Sequence, residues 1–273
     1  MRAPVETLPA DAVADAARAL HEAERTHIPI RMFSLQHPAM TMDDAYRVQH
    51  AWMDIKRSEG REVWGHKIGL TSRAMQAAVG ITTPDSGYLL DDMFYADGAE
   101  VPTGRFIAPR IEVELAFVMK KKLAGPRCTI HDVLNATEFV QPAIEILDSR
   151  AQRVDPDTGV TRKIVDTVAD NAANGAIVTG GRPQRPDALD MRWIAAICAR
   201  NGQVEETGVA AGVLNHPAYG IAWLAERLTS YGDGIEAGQT VLSGSFIRPI
   251  DGRKGDTFLA DFGPCGTVSF HFS

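Results

Sequence analysis

Cysteine, net positive charge and long apolar runs are all scarce in this sequence of 273 residues. The three cysteines are far apart and lack zinc-site spacing, so neither a disulfide framework nor a thiolate metal centre is indicated. The formal net charge is -7 and the basic residues are scattered, so we expect no nucleic-acid partner. No stretch approaches the roughly 20 apolar residues that cross a bilayer, so we expect no membrane partner either.

The first twenty residues contain no basic segment followed by an apolar core. We therefore expect no secretory signal, and together with the cysteine usage this favours a cytoplasmic location. Hydrophobic residues make up 45% of the chain and charged residues 23%, which is typical of a globular protein. Because the net charge is negative, a small anionic ligand would need local positive charge, from a metal or from a few placed Lys and Arg side chains.

Helical and strand-like patterns divide the chain in two. Residues 11–25 are rich in helix-forming Ala, Leu and Glu, and Thr41 with Asp44 predicts the start of a second helix that Gly60 closes. From residue 63 onward, short apolar runs alternate with turn residues. This predicts an α+β fold with a helical lobe over residues 1–62 and a β-rich catalytic domain over 63–273. The predicted strands are 63–70, 110–120, 140–147, 176–179, 192–199, 203–207, 239–248, 257–262 and 266–272, with helices at 130–139 and 217–228.

Two glutamates share one face of a predicted strand. In PRIEVELAFVMKK the side chains alternate, so Glu112 and Glu114 lie on the same side with Cα atoms about 6–7 Å apart. A half-exposed strand with its polar face in water would give the same pattern. However, that face continues as Ala116 and Val118, and adjacent glutamates repel unless something neutralises them.

A third acid, Glu145, stands alone in the apolar run VQPAIEIL. A buried carboxylate without a partner is costly, so these three glutamates require a cation. Lys or Arg could supply it. Three carboxylates with no nearby Cys or His pair suit a hard divalent ion better, which predicts Mg²⁺ or Mn²⁺ with ligands Glu112, Glu114 and Glu145.

Other candidate site residues are less clearly marked. Lys67 in GHKIGLTS is either a surface lysine or an ammonium held in a pocket. Asp85 lies in a Pro-Asp-Ser-Gly turn, where it either caps its own backbone or pairs with Lys67 and exchanges protons. Ser243 and Ser245 either hold a carboxylate or belong to a β-bulge, and Lys163 is either solvated or binds substrate. Asn171 and Asn174 form turns or line a site.

Several motifs in order resemble the 2-oxo-alkenoate hydratase branch of the fumarylacetoacetase-like superfamily, over nearly the whole chain. The motifs are GHKIGLTS, PDSG, PRIEVELAFV, IEILDSR, ADNAANGAIVTGG, EETGVAAGVLNHPA and GSF. The resemblance implies a rolled mixed β-sheet with an N-terminal helical region. It also implies Mg²⁺ on Glu112, Glu114 and Glu145, a pocket lysine at Lys67, an aspartate at Asp85, and a homo-oligomer, often a pentamer or decamer.

The activity implied by this resemblance is hydration of a small 2-oxo dicarboxylate, 2-oxo-hept-3-ene-1,7-dioate, to 4-hydroxy-2-oxoheptane-1,7-dioate. Lys67 and Asp85 would supply electrostatic support and proton transfer, with their separate roles open. Arg73, Arg110 and Arg150 are unranked candidates for the residue that binds the distal carboxylate.

Four alternatives remain. They are a 2-oxo-3-enedioate (4-oxalocrotonate-type) decarboxylase, a 2-oxopent-4-enoate hydratase, a C–C hydrolase and a non-catalytic interaction protein with a structural metal. The hydrolase would need a His-Glu pair that activates water, and no convincing motif for it is present. A structural metal would have a closed shell of protein ligands, whereas three carboxylates leave positions for water or substrate.

Overall fold

A computed structural model describes residues 5–73, 76–77 and 81–273 of the chain. Six α-helices have both ends within these residues. They are α1 (Ala10–Thr26), α2 (Phe33–Gln36), α3 (Met42–Ser58), α4 (Ile130–Ala136), α5 (Ile164–Ala169) and α6 (Ala218–Thr229). None of these helices is long and apolar enough to cross a membrane.

Thirteen strands form two mixed sheets over the same residues. The strands are β1 (Val63–Gly69), β2 (Asp85–Leu90), β3 (Phe94–Ala96), β4 (Ala99–Val101), β5 (Arg110–Met119), β6 (Thr137–Leu147), β7 (Asn174–Thr179), β8 (Ala195–Arg200), β9 (Gln203–Val209), β10 (Thr240–Leu242), β11 (Ile250–Asp251), β12 (Thr257–Asp261) and β13 (Thr267–Phe272). The larger sheet has the order β2-β1-β10-β5-β6-β7-β3, with β11 also paired to β5. The smaller sheet has the order β4-β13-β12-β8-β9.

Strand β5 lies in the middle of the larger sheet, and its two faces differ. One face carries the buried side chains of Ile111, Val113, Leu115 and Phe117, which belong to the main hydrophobic core. Phenylalanines of the smaller sheet, such as Phe258, pack into the same core, so the two sheets bury these faces against each other. The glutamates lie on the opposite face of β5, as alternation along a strand requires.

The N-terminal helices pack on the β-rich part through a shared apolar cluster. Leu20 of α1 and Trp52 of α3 lie in this cluster with Tyr88 of β2 and Val168 of α5. The start of α3 matches the prediction, since Thr41 Oγ1 accepts the Asp44 N–H at 3.2 Å and the Asp44 carboxylate accepts the Thr41 N–H at 3.1 Å. The division of the chain at residue 62 stays a prediction, because helices and sheet share this core.

Most predicted elements are confirmed, and a few end elsewhere. Asn201 and Gly202 have φ of 53° and 79°, and this Asn-Gly pair forms the tight turn that joins β8 to β9. The strand predicted over 239–248 stops at Leu242, because Gly244 has φ of 112° and breaks the extended chain. The helix predicted over 130–139 ends at Ala136, where Thr137 begins β6.

Candidate metal centre

Strand pairing brings the three predicted glutamates together. Glu112 of β5 lies directly opposite Glu145 of β6, and Glu114 follows on the same face of β5. One carboxylate oxygen from each residue lies within 4.8 Å of those from the other two. Glu114 and Glu145 are fully buried, whereas Glu112 is half-buried. The predicted ligand set is therefore a cluster that opens toward solvent at Glu112.

Each of the two buried glutamates has one oxygen held by the protein and one without a partner. The Gly244 N–H donates to Glu114 Oε2 at 2.7 Å, and Asn174 Nδ2 donates to Glu145 Oε1 at 2.9 Å. Glu114 Oε1 and Glu145 Oε2 are buried and have no hydrogen-bond partner in the part of the chain that the structure describes. Orphaned carboxylate oxygens at this spacing fit a hard divalent cation.

The electrostatics of the cluster support the same interpretation. Burial, and then the negative charge of Glu145, raise the pKa of Glu112 to about 8. Burial and the same neighbour raise the pKa of Glu114 well above its ordinary value of 4.5. These carboxylates repel one another in a poorly solvated place, and a divalent cation would relieve both the repulsion and the loss of solvation.

Lys67 is a buried ammonium at this cluster, not a surface lysine. Its Nζ lies 3.2 Å from Glu145 Oε1 and donates to the carbonyl of Ala172 at 3.0 Å. Burial lowers the pKa of Lys67, but Glu145 and then Asp85 outweigh burial, so the pKa is raised above 10.5. The surrounding carboxylates therefore favour the charged ammonium form of Lys67.

Asp85 is the first residue of β2, where the turn pattern had predicted a Pro-Asp-Ser-Gly turn. That local prediction is wrong, because Asp85 pairs with Gly69 across the antiparallel strands β1 and β2. A Cβ on Gly69 would lie 2.2 Å from Asp85 Oδ1 and 3.4 Å from Lys67 Nζ. Asp85 therefore lies in the neighbourhood of Lys67 without forming an ion pair with it, and the small space above position 69 favours glycine there.

The Asp85 carboxyl, like that of Glu114, is buried and has a raised pKa. Its Oδ1 has no hydrogen-bond partner within the described ranges. Burial raises the pKa of Asp85; Lys67 opposes this shift and Glu145 adds to it. A carboxyl with a raised pKa and a free oxygen can carry a proton at a pH where an exposed aspartate is ionised.

A short left-handed turn holds the carbonyl that Lys67 contacts. Asn171, Ala172 and Ala173 have φ of 50°, 50° and 59°, which is costly for residues with a Cβ. The Asn171 side chain accepts the Tyr88 N–H at 2.7 Å and donates to the Tyr88 carbonyl at 2.9 Å. These two hydrogen bonds attach the turn to β2, so Asn171 holds in place the carbonyl that Lys67 contacts.

The three candidate substrate-binding residues occupy different places. Ser243 is buried beside Gly244, and its Oγ is unpartnered among the residues described. Ser245 Oγ contacts the carbonyls of Val113 and Ile247 at 3.4 and 3.0 Å. Lys163 is exposed before α5, and its ammonium forms no ion pair within the described part of the chain. A substrate role for any of them stays a prediction, and Lys163 is not brought into the cluster by a bond.

A cavity of about 370 Å³ leads to Glu112 from the surface. Much of its wall is apolar, and it suits a carbon chain with a charged end at the cluster. Its lining includes Leu70, Thr71, Ser245, Phe246 and Ile247.

Known proteins place the chain in a family. No protein-family model matches the sequence. The chain is 57% identical over 256 residues to 2-oxo-hept-4-ene-1,7-dioate hydratase of Escherichia coli, covering 94% of this chain and 96% of that protein. It belongs to the 2-oxo-alkenoate hydratase family. Another family member, 2-hydroxyhexa-2,4-dienoate hydratase of Comamonas testosteroni, is 40% identical over 256 residues, covering 93% of this chain and 95% of that protein.

The solved structure of a decarboxylase superposes closely on this chain. The 4-oxalocrotonate decarboxylase from Pseudomonas putida G7, complexed with magnesium and adipate, superposes with a TM-score of 0.92 and is 33% identical. The match covers 98% of this chain and 100% of that one. Fumarylpyruvate hydrolase from Pseudomonas aeruginosa, at 12% identity and a TM-score of 0.56, shares the fold alone. The predicted hydratase-family membership and fumarylacetoacetase-like α+β fold are confirmed.

Proposed function

We propose that this chain is a divalent-metal-dependent hydratase that converts a seven-carbon 2-oxo-enedioate to 4-hydroxy-2-oxoheptane-1,7-dioate. The observation that carries the proposal is the convergence of Glu112, Glu114 and Glu145 with Lys67 and Asp85, in a chain 57% identical to a hydratase. The predicted 3-ene and the 4-ene in that relative's name are tautomers of one 2-hydroxy-2,4-dienoate. Either form leads to the same 4-hydroxy product.

Glu112, Glu114 and Glu145 would hold the cation, with Mg²⁺ as the expected ion and Mn²⁺ as an alternative. When bound, the cation supplies a Lewis acid that binds a 2-oxo carboxylate and stabilises negative charge on its keto oxygen. The Asn174 amide and the Gly244 N–H orient two of the ligands, so the protein fixes where that charge develops.

Lys67 and Asp85 divide the remaining work according to their charge states. The Lys67 ammonium stays protonated and is fixed by Glu145 and the Ala172 carbonyl, so its role is electrostatic. Asp85 has a raised pKa and a free buried oxygen, so it is the group that transfers protons between water and the substrate carbon chain. The hydration itself adds a hydroxyl at C4 and a proton at the neighbouring carbon.

The test compares Glu112→Gln with a matched exposed variant, Glu138→Gln on β6. Hydration of 2-hydroxyhepta-2,4-diene-1,7-dioate with Mg²⁺ is followed by loss of absorbance, and circular dichroism reports the fold. We expect Glu112→Gln to lose metal-dependent hydration by a factor of about 100 or more while staying folded, since it removes a ligand. Full activity in Glu112→Gln, or in wild type with excess chelator, would contradict the proposal.

A decarboxylase is the second candidate, because the chain is also 37% identical over 266 residues to 4-oxalocrotonate decarboxylase of Pseudomonas sp. strain CF600. The carboxylate cluster serves both reactions, since each develops charge on a 2-oxo group. Carbon dioxide release from a 2-oxo-3-enedioate separates them. Release faster than hydration of the seven-carbon dienoate would favour the decarboxylase.

We also propose that the chain forms a homo-oligomer. The outer face of the smaller sheet, together with the short turn that leads into β8, exposes apolar side chains that a monomer would leave in water. Trp193 is 75% exposed, Ile197 46% and Leu259 41%. Sedimentation should give a particle of several 29.6 kDa chains, whereas a monomer at all concentrations would contradict this.

A further inference from the structure

The face of β5 that carries the metal ligands also shows where the site opens. Side chains of Arg110, Glu112 and Glu114 follow one another on this face, because alternate residues of a strand point the same way. Glu114 is fully buried, Glu112 half-buried, and the Arg110 side chain 38% exposed. Arg110 therefore stands at the exposed end of the row in which the ligands lie.

Two further arginines reach this end of β5 from the loop between β6 and α5. Arg153 Nη2 donates to the carbonyl of Ala108, two residues before Arg110, at 2.6 Å. The Arg162 N–H donates to the Arg153 carbonyl at 3.0 Å, so the two lie side by side across the loop. The Arg162 side chain is 15% exposed and donates to Ser149 Oγ at 2.7 Å.

The positive charge of these arginines is incompletely neutralised. Arg110 pairs with Asp251 at 2.6 Å, and Arg162 lies 4.0 Å from Asp170. Arg153 forms no ion pair with any residue that the structure describes. Burial, followed by repulsion from Arg110 and Arg162, lowers the pKa of Arg153 to about 10, although Asp148 and Asp251 oppose that shift. Three guanidinium groups held close together create a place that favours an anion.

Other arginines do not share this position. Arg150 is buried and fully engaged, with Nε 2.5 Å from Asp170 Oδ1 and Nη1 donating to the Asn174 carbonyl at 2.8 Å. Arg248 lines the cavity that leads to Glu112, where its side chain is 82% exposed and pairs with Glu206 at 2.6 Å.

We propose that Arg153 and Arg162, with Arg110 beside them, bind the distal carboxylate of the substrate and so select dicarboxylic over monocarboxylic 2-oxo acids. The inference rests on the proposed function, because it takes the 2-oxo end to lie at the glutamates. Same-face positions two residues apart on β5 are separated by about 6.5–7 Å. A seven-carbon diacid can bridge that distance from Glu112 to Arg110.

The test measures binding instead of turnover, with two saturated acids that differ only in the terminal group. Calorimetry with Mg²⁺ present gives the dissociation constants of 2-oxoheptanedioate and 2-oxoheptanoate for wild type and for Arg153→Leu and Arg162→Leu. A charge-assisted hydrogen bond sets the expected preference for the diacid at about ten-fold or more in wild type. We expect each leucine variant to lose most of it, while 2-oxoheptanoate binding stays within about three-fold.

Three further variants make the result decisive. Arg192→Leu removes an exposed arginine that is paired with Asp190 elsewhere on the surface, and it should keep the preference. Arg153→Gln retains a donor for the Ala108 carbonyl, so it reports on charge alone should Arg153→Leu fold poorly. Loss of the preference in Arg248→Leu, with retention in the loop variants, would overturn the proposal.

Equal binding of both acids by wild type, or equal weakening of both acids in the loop variants, would also overturn it. The proposed hydratase can fail independently of this inference. A protein that binds the diacid selectively without hydrating the dienoate would refute the reaction and leave the arginine site standing.

Discussion

Replacing Gly69 by alanine moves the carboxylate of Asp85, the proposed proton-transfer group, without altering any of the proposed site residues. The new Cβ would lie 2.2 Å from Asp85 Oδ1, whereas ordinary van der Waals contact begins at 3.4 Å. The Asp85 carboxylate must therefore move by about 1 Å, and it can do so because it is the end of a side chain and not part of the backbone. The backbone of β1 is extended at this position and accepts alanine.

A displacement of about 1 Å at a reacting group typically lowers the rate about 100-fold, or about 2.7 kcal/mol of activation free energy. We expect Gly69→Ala to lose activity on this scale in kcat, measured as hydration of the dienoate with saturating Mg²⁺. Affinity for Mg²⁺ should stay near that of wild type, because Asp85 is not a proposed ligand. Thermal unfolding should show a folded protein.

Gly104→Ala is the matched control, since its Cβ would meet no atom within 4 Å. Gly65→Ala shows the opposite extreme, because there the Cβ would lie 1.9 Å from the Thr240 carbonyl oxygen and would disrupt the sheet. Wild-type kcat in Gly69→Ala would refute the assignment of Asp85 as the proton-transfer group. An equal loss in Gly104→Ala would refute the steric reasoning.

Three other predictions concern residues around the site. Burial lowers the pKa of His66 from 6.5 to about 4, so the unfolded chain binds a proton first and stability falls as pH drops from about 6.5 to about 4. Between pH 7 and pH 4.5, urea unfolding of wild type should show a decrease in the free energy of unfolding that is roughly 2 to 3 kcal/mol larger than the decrease in His66→Phe. Equal decreases in the two proteins would contradict this. Asn174→Ala should weaken Mg²⁺ binding about 10- to 100-fold by releasing Glu145, as calorimetry would show, and unchanged affinity would count against it. Asn171→Ala should lower the free energy of unfolding in chemical denaturation by about 1–3 kcal/mol, because it removes both hydrogen bonds to Tyr88. Unchanged stability would contradict this prediction.

The metal cluster was accessible from the sequence because its signal is local. Strand alternation placed Glu112 and Glu114 on one face, and the apolar run around Glu145 marked a carboxylate in need of a cation. Their meeting depends on the register that sets Glu112 opposite Glu145. No pattern within either strand specifies that register, and the resemblance to a family implied only that the three glutamates bind the same ion.

Asp85 shows why local turn chemistry fails where long-range pairing decides. Pro-Asp-Ser-Gly is a strong turn pattern, yet the segment extends as β2 because it pairs with β1 along its length. Gly87 is not a turn residue here. It leaves room for the Asn171 carbonyl oxygen, which would lie 2.4 Å from a Cβ at this position. The left-handed turn at Asn171, Ala172 and Ala173 could not be predicted from the sequence either, because alanine has no preference for positive φ.

The contact between Lys67 and the Ala172 carbonyl also affects how the site responds to genetic change. The acceptor is a main-chain oxygen, so every amino acid at position 172 retains it. A mutational scan would record that position as tolerant wherever the turn survives, although its peptide group holds the site's ammonium. Backbone chemistry, such as replacing an amide by an ester to weaken the carbonyl as an acceptor, would reveal a dependence that codon substitution cannot.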